Sequence, residues 1–442
     1  MIKIPKAKRK QKNNNSGRRS AKNFPFQTLK GMHDVLPDDF SYFDKIEKAL
    51  KRVSCFFSFF RIETPIMEDV RIFERGTGMT SEVVQKQIFV VKSRGRKEGV
   101  MALRPEMTPG VVRAYVQNGL SYVVLPGKFY YFSPIFRYEQ PQHGRFRQFY
   151  QIGLEIINTS DSAYDAQVIS ATVKILEDLR IKGFSIKINS IGCKVCRPSF
   201  VKKLKEYYKS NLSKLCRDCV KRYKINPLRM LDCKEEKCQV YKIKAPQTLD
   251  HLCVSCKNHF KTVLEYLDEM KVPYLVDSTL VRGLDYYSKT VFEVFVDGFD
   301  FALGGGGRYD YLSETLSGPR MGAMGMAMGV ERLIEVMKQS QISGLPKIQP
   351  KVFLIHMGDQ AKKKAMGLME GFYKEGVNVR ESLSKDSLKS QLRQADKEGV
   401  QIALILGQRE VFEDVIILRD MKSGNQENVA LRKVVEEVKR RI

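Results

Sequence analysis

A chain of 442 residues and 50.8 kDa has room for about three domains with substantial cores, which excludes a small peptide-like fold. Its 43% hydrophobic and 29% charged residues are those of a globular chain, and no stretch reaches the roughly 18 uninterrupted apolar residues of a membrane helix. Seventy-six Lys and Arg against fifty Asp and Glu give a formal charge of +26, so RNA, DNA or an acidic membrane surface are natural long-range partners.

Residues 1–22 carry nine basic side chains, no acid and an asparagine run at 13–15, a composition that predicts a disordered tail. A solvated extension and an RNA-contacting arm fit it equally. It lacks the apolar core of a secretory signal, so a cytoplasmic protein is expected. Next, Tyr42, Phe43, Ile46, Ala49, Leu50, Val53, Phe57 and Phe60 recur at helical spacing, with Cys55 nearby and inert. Residues 61–68 read as a short strand interrupted by Pro65, which in a sheet belongs at an edge or a bulge. Residues 129–157 form a hairpin whose first strand puts Phe132, Phe136 and Tyr138 on one face and Arg137 and Glu139 on the other. On the second strand Tyr150, Ile152, Leu154 and Ile156 oppose Gln151, Gly153 and Glu155. One face suits a core and the other a binding platform, with the basic loop 140–147 between the strands.

From 189 to 271 the chain turns helical, basic and cysteine-bearing, with 17 Lys and Arg against six acids between Ser190 and Phe260. Strand patterning returns at 274–296, then four glycines at 304–307, a Met–Gly–Ala alternation at 321–328 and a helix over 330–337. The stretch 339–350 reads as a linker. Beyond it, 352–357, 361–375, 401–406 and 414–418 make an α/β pattern for a further domain, 351–442.

No G-x-x-x-x-G-K-[ST] loop is present, and the glycine run completes no G-x-G-x-x-G, so it marks close backbone approach rather than a nucleotide loop. Any ATP site needs another construction. Arg137, Arg282 and Arg332 lie in apolar or glycine-rich surroundings where an unpaired guanidinium is costly, so each needs an anion. Glu139, Asp285, Glu293 and Glu331 are the carboxylates that can pair with them without any ligand.

The combination around these arginines resembles the class II aminoacyl-tRNA synthetases, and specifically the histidyl-tRNA synthetase family. Leu29-Lys30-Gly31-Met32-His33-Asp34-Val35-Leu36-Pro37 is similar to the family's N-terminal signature, and 61–68 to motif 1, which in the class builds the dimer interface. Phe136-Arg137-Tyr138-Glu139 with its loop and 149–155 resembles motif 2, and Gly329-Val330-Glu331-Arg332-Leu333 motif 3. Arg282-Gly283-Leu284-Asp285-Tyr286-Tyr287 and Gly305-Gly306-Gly307-Arg308-Tyr309-Asp310 resemble the two histidine-specific motifs.

The resemblance implies a homodimeric ligase that joins ATP, with Mg²⁺, to histidine and passes the histidyl group to the 3′ end of tRNA(His). The implied fold is an α+β catalytic domain with a mainly antiparallel sheet (23–188 and 272–338), a Cys-rich helical insertion (189–271) and a C-terminal α/β anticodon-binding-type domain. It assigns Arg137 and Arg332 to ATP phosphates, Glu139 to adenine, and Arg282 to the α-phosphate and histidine carboxylate, making Arg282 and Arg137 the catalytic pair. Glu106 and Thr108 take the α-amino group. Gln151, Tyr286 and Tyr309 complete the pocket, with Glu155 and Tyr287 on the imidazole, since a carboxylate and a phenol complement a ring that offers one N–H and one lone pair. Gln142, Arg145 and Arg147 face the tRNA acceptor end. Met326 and Gln140 depart from the family pattern without removing a ligand.

Eight of nine cysteines form four pairs: Cys193 and Cys196, Cys216 and Cys219, Cys233 and Cys238, Cys253 and Cys256. Two such pairs typically hold one tetrahedral zinc, so two structural Zn²⁺ sites are favoured over free thiols. Which pairs combine stays open, with a mild preference for the nested arrangement. His251 and His259 are expected at the surface, as substitute ligands.

A regulatory paralogue that binds histidine without charging tRNA, and a general RNA-binding protein, are the rival readings. The retained arginines oppose the first. The second explains the charge but neither the arginines nor the tyrosines.

Overall fold

The computed structural model describes residues 26–78, 83–92, 99–123, 125–140, 144–346, 349–384 and 387–442. The expected N-terminal tail and Gln142 lie outside them. The chain divides after Leu345 into two units. In the first, the strands in chain order are β1 (Phe60–Arg61), β2 (Met67–Asp69), β3 (Phe89–Val91), β4 (Met101–Leu103), β5 (Gly127–Phe136), β6 (Gln148–Ile157), β7 (Phe184–Ser190), β8 (Leu275–Val276), β9 (Ser288–Val296), β10 (Gly304–Arg308) and β11 (Ala323–Gly329).

Eight of them form one sheet in the order β1-β5-β6-β11-β10-β9-β7-β8, antiparallel except for the two edge pairs. The remaining three make a small sheet, β2-β4-β3. The interruption expected at Pro65 divides this segment into β1 and β2, because Pro65 has no N–H to give a ladder, and the chain changes sheets there. The hairpin β5–β6 pairs over ten positions, from Gly127 with Ile157 to Phe136 with Gln148. The glycines Gly304–Gly307 lie in β10 between β9 and β11, where an added Cβ at Gly305 or Gly306 would strike a neighbouring strand's carbonyl oxygen. Close backbone approach, not a turn, explains that run.

Helix Pro37–Phe56 starts with proline in its first turn, which presets φ, and with Asp38 and Asp39 at the positive end of the helix dipole. Phe43, Ile46, Ala49, Leu50 and Val53 form its buried stripe. The periodicity ran on to Phe60, but Ser58 adopts a φ of 60°, which no right-handed helix can continue, and Phe60 enters β1 with its ring exposed.

The sheet carries a core on each face. On one, Ile152, Leu154 and Ile156 of β6 meet helices Pro37–Phe56, Ala163–Asp178, Val254–Glu269 and Val330–Gln339. On the other, Tyr131, Tyr287 and Tyr309 belong to a cluster with Val111 and Tyr115 of helix Thr108–Gln117, and this cluster continues into Phe200, Leu204, Met230 and Leu231 of the cysteine-bearing segment. That segment holds helices Arg197–Lys209, Arg217–Ile225 and Glu236–Ile243 with short 3₁₀ turns between them. Its last helix, Val254–Glu269, packs under the opposite face, so the segment grips the sheet from both sides.

The second unit has a five-stranded sheet of β12 (Val352–His356), β13 (Val379–Glu381), β14 (Ile402–Leu406), β15 (Val415–Asp420) and β16 (Gln426–Ala430), in the order β13-β12-β14-β15-β16. Its first two pairings are parallel and its last two antiparallel. β14 is apolar along its length and β12 as far as the buried His356, because both faces are covered.

Candidate active site

The polar face of β6 opens into a cleft of about 350 Å³. Strand alternation sends Gln151 and Glu155 toward it while their neighbours enter the core. Arg137 follows β5, Arg282 lies between β8 and β9, and Arg332 sits in the first turn of helix Val330–Gln339. All three line the one cleft.

Their partners separate them. Arg282 is ion-paired with Glu293, and its Nε is buried with no partner among the described residues. Arg137 donates from Nε to the Pro105 carbonyl at 2.9 Å and lies over the Phe149 ring. Arg332 donates to the carbonyls of Gly144 (3.1 Å) and Ala302 (2.7 Å). Among the described residues no carboxylate pairs with Arg137 or Arg332. Burial, then the charges of Arg145 and Arg137, lower the pKa of Arg332 against the opposing pull of Glu139 and Glu293. The other carboxylates are engaged elsewhere: Glu331 accepts the Tyr150 N–H at 3.0 Å, Asp285 accepts Asn226 Nδ2 at 2.8 Å, and Glu139 meets Arg145 at 3.5 Å across the cleft mouth.

Deeper in, Glu106 accepts the Tyr286 hydroxyl at 2.9 Å through Oε2, while Oε1 is buried and unpartnered among the described residues. Burial pushes its carboxyl up to about 7, against the opposing pull of Arg137, the Tyr286 bond and Arg282. Such an oxygen suits a cationic donor. Glu155 takes Thr108 Oγ1 at 2.7 Å and the Tyr309 hydroxyl at 2.5 Å, and burial raises it to about 8. An added Cβ at Gly325, which pairs with Glu155 across β6 and β11, would overlap that carboxylate, so this position requires glycine. Glu155 is not among the cleft-lining residues: Thr108, Tyr131 and Tyr309 stand in front of it. Burial also holds the phenols of Tyr286, Tyr287 and Tyr309 above their usual range, keeping them hydrogen-bond donors.

The cleft thus gathers Arg137, Glu139, Arg145, Glu106, Thr108, Gln151, Arg282, Tyr286, Tyr287, Tyr309 and Arg332. Arg147 does not line it; its Nε donates to the Glu139 carbonyl at 3.2 Å and its guanidinium covers the Tyr138 ring, so it braces the loop. Sequence reasoning missed Tyr131, although it shares the alternation parity of Arg137 on the hairpin's polar face. It also missed Arg229 and Asp232, which the cysteine-bearing segment delivers to the cleft from a distance no local pattern encodes. Arg308 of the glycine motif turns away into a fully buried network with Asp165 and Asp310.

The eight cysteines gather into two groups, Cys193, Cys196, Cys253 and Cys256, and Cys216, Cys219, Cys233 and Cys238, the nested pairing. Sulfur separations of 3.8, 3.9 and 3.8 Å in the first and 3.8 Å in the second match the ~3.8 Å edge of a regular tetrahedron with Zn–S of ~2.3 Å. Backbone N–H groups of Cys193, Val195, Cys216 and Cys219 donate to cluster sulfurs, which favours thiolates. The expectation for His259 is corrected: it is buried against Asp165, 2.8 Å away, because its helix packs under the sheet. His251 stacks on Phe200. Neither joins a cysteine group.

Comparison with known proteins agrees over nearly the whole chain. The family profile described as Histidyl-tRNA synthetase matches residues 31–333, and the one described as Anticodon binding domain matches 351–441. Histidine–tRNA ligase of Desulforamulus reducens is 39% identical over 414 residues, 93% of this chain and 98% of that protein. Histidine–tRNA ligase of Clostridium perfringens is 40% identical over 406 residues, 92% and 97%. The crystal structure of apo S. aureus histidyl-tRNA synthetase superposes with a TM-score of 0.77 at 30% identity, covering 93% of this chain and 99% of that one.

Proposed function

The chain belongs to the histidyl-tRNA synthetase family, and we propose that its cleft joins histidine to ATP and passes the histidyl group to the 3′ end of tRNA(His). It is an ATP-dependent class II aminoacyl-tRNA ligase. One observation carries the assignment of the cleft: three guanidiniums, two without a carboxylate partner among the described residues, converge beside a buried carboxylate with an unsatisfied oxygen. That is the complement of an amino acid's ammonium and carboxylate next to a triphosphate.

In the proposed reaction a histidine carboxylate oxygen attacks the α-phosphorus of ATP, the bond to the β-phosphate bridge breaks and pyrophosphate leaves; Mg²⁺ arriving with ATP would offset phosphate charge. The second step moves the acyl group from AMP to a hydroxyl of the terminal adenosine. Arg282 stabilises the charge that builds at the α-phosphate, with its Glu293 partner holding the fork in place before the substrate arrives. Arg137 and Arg332 take the phosphates, helped by the N-terminal N–H groups of helix Val330–Gln339, in whose first turn Arg332 sits. Glu139 serves adenine. Glu106, Thr108 and Gln151 receive the α-amino group, and the Tyr287 phenol with the Thr108–Glu155–Tyr309 chain reads the imidazole. Arg145, exposed at the mouth, Arg147 beside it and Gln142 contact the acceptor end.

Each cysteine group has the donor chemistry and spacing for one Zn²⁺, which would supply a rigid crosslink to a basic segment of limited core and take no part in the reaction. The nine free cysteines support the cytoplasm as compartment. Among the described residues no helix is long and apolar enough to cross a membrane. The exposed side chains of Phe60, on the β1 edge of the sheet, and Phe56, at the end of the preceding helix, support a homodimer through that edge.

Histidine-dependent exchange of pyrophosphate into ATP tests the ligase reading. Exchange with histidine alone among amino acids is expected, with Arg282→Lys reducing kcat about 10²- to 10³-fold, the usual loss of a preorganised donor. A folded protein without exchange would instead be the histidine-binding paralogue.

A further inference from the structure

The segment 282–287 presents Arg282, Tyr286 and Tyr287 to the cleft but is itself irregular, lying between β8 and β9. Its backbone and one side chain are held mainly from the cysteine-bearing segment. Arg197, next to Cys196, donates from Nη2 to the Tyr287 carbonyl at 2.5 Å, while its Nε and Nη2 also tie Ile191 and Gly192 at 3.1 Å. Asn226 Nδ2 donates to Asp285 Oδ1 at 2.8 Å. Arg229 Nη1 donates to the Gly283 carbonyl at 3.3 Å from the 3₁₀ turn Pro227–Asp232, which ends at Cys233. Three donors therefore reach the start, middle and end of the substrate segment. All stand on stretches bounded by cluster cysteines. From the rest of the unit, the Asp285 N–H reaches the Thr77 carbonyl at 3.2 Å.

We propose that the cysteine-bearing segment is a clamp on the histidine pocket. Arg197, Asn226 and Arg229 are positioning residues that hold 282–287 in its binding geometry, and the two tetracysteine centres hold those residues in turn. Metal occupancy then sets how well histidine binds, although no cysteine touches substrate. The proposal rests on the ligase and zinc readings above and extends them, because a segment that only gripped RNA would leave amino-acid affinity untouched.

Asn226 is the cleanest probe, being half-buried and outside the cleft lining. Asn226→Ala is expected to raise the histidine KM in pyrophosphate exchange about tenfold, leaving the ATP KM, the zinc content and the melting temperature essentially unchanged. Asp285→Ala removes the same bond and also the carboxylate charge that acts on Arg197, so it should raise the histidine KM at least as far, and adding Asn226→Ala to it should change little further. Unchanged histidine KM in Asn226→Ala, or effects that multiply in the double variant, would overturn the clamp.

Hydrogen exchange on the full chain, with and without zinc removed by a mercurial and chelator, gives a readout free of catalysis. The amides of 282–287 should exchange faster without metal. Acceleration confined to the cysteine-bearing segment would refute the coupling. A wild-type protein lacking histidine-dependent exchange would defeat the ligase reading, and one purified without zinc the metal reading. In the first case hydrogen exchange still decides the clamp, and in the second the Asn226→Ala measurement does.

Discussion

Burial outweighs two nearby cations and the Tyr286 bond at Glu106, and the hydroxyl donors at Glu155, so these carboxyls hold their protons to about 7 and about 8. In an unfolded chain the same groups titrate near 4.5. The folded protein thus binds protons that the unfolded chain has released, and its stability declines as pH rises from about 4.5 through about 8, by up to roughly 1.4 kcal/mol per pH unit for each such proton. Melting temperatures of the ligand-free protein across that window should fall, and Glu155→Gln should flatten the slope. A steeper or unchanged slope would contradict the burial account. Seated on Glu106 as proposed, histidine's ammonium should lower that pKa and weaken the slope, because it favours the charged carboxylate. The types of these residues were legible from motif resemblance, and Tyr131 was available from strand parity. The depth of Glu155 behind Thr108, Tyr131 and Tyr309 was not, since it depends on Gly325, which lies four intervening strands further along the chain.

The elements were readable wherever a local cause acts: proline and acids start helix Pro37–Phe56, and alternation makes the β5–β6 hairpin two-faced. The missing donor at Pro65 was readable too, and the misreading came where the cause was a single backbone angle, at Ser58. For the cysteine-bearing segment, spacing indicated metal-ligand pairs, and the fold joined outer with outer and inner with inner. Two zinc ions per chain are expected by elemental analysis of protein purified without added metal. Their removal should lower the melting temperature by about 10 °C or more, given binding energies of order 10 kcal/mol for such sites and a few degrees per kcal/mol. Replacing Cys216 and Cys238 with serine should remove one ion and leave the other. A metal-free protein of undiminished stability would discard both centres.

On the scale of the whole molecule, one sheet serves three tasks: its polar face holds the cleft, its opposite face the main core, and its β1 edge exposes Phe60, with Phe56 exposed at the end of the preceding helix. If that edge joins two copies, Phe60→Lys should convert a species of twice 50.8 kDa into one of 50.8 kDa in sedimentation, and wild-type protein that sediments as a monomer would reject the interface. Sequence alone determined the class of the protein, the boundaries of most elements and the kinds of group available for chemistry, because helix caps, strand parity and cysteine spacing act between near neighbours. Tertiary structure decided which groups meet. The Tyr286–Glu106 bond spans 180 residues and the Arg197–Tyr287 bond 90, and no periodicity carries information over such separations. For the same reason only the folded chain reveals that Arg137 and Arg332 reach carbonyls but no described carboxylate, leaving their charge directed into the cleft.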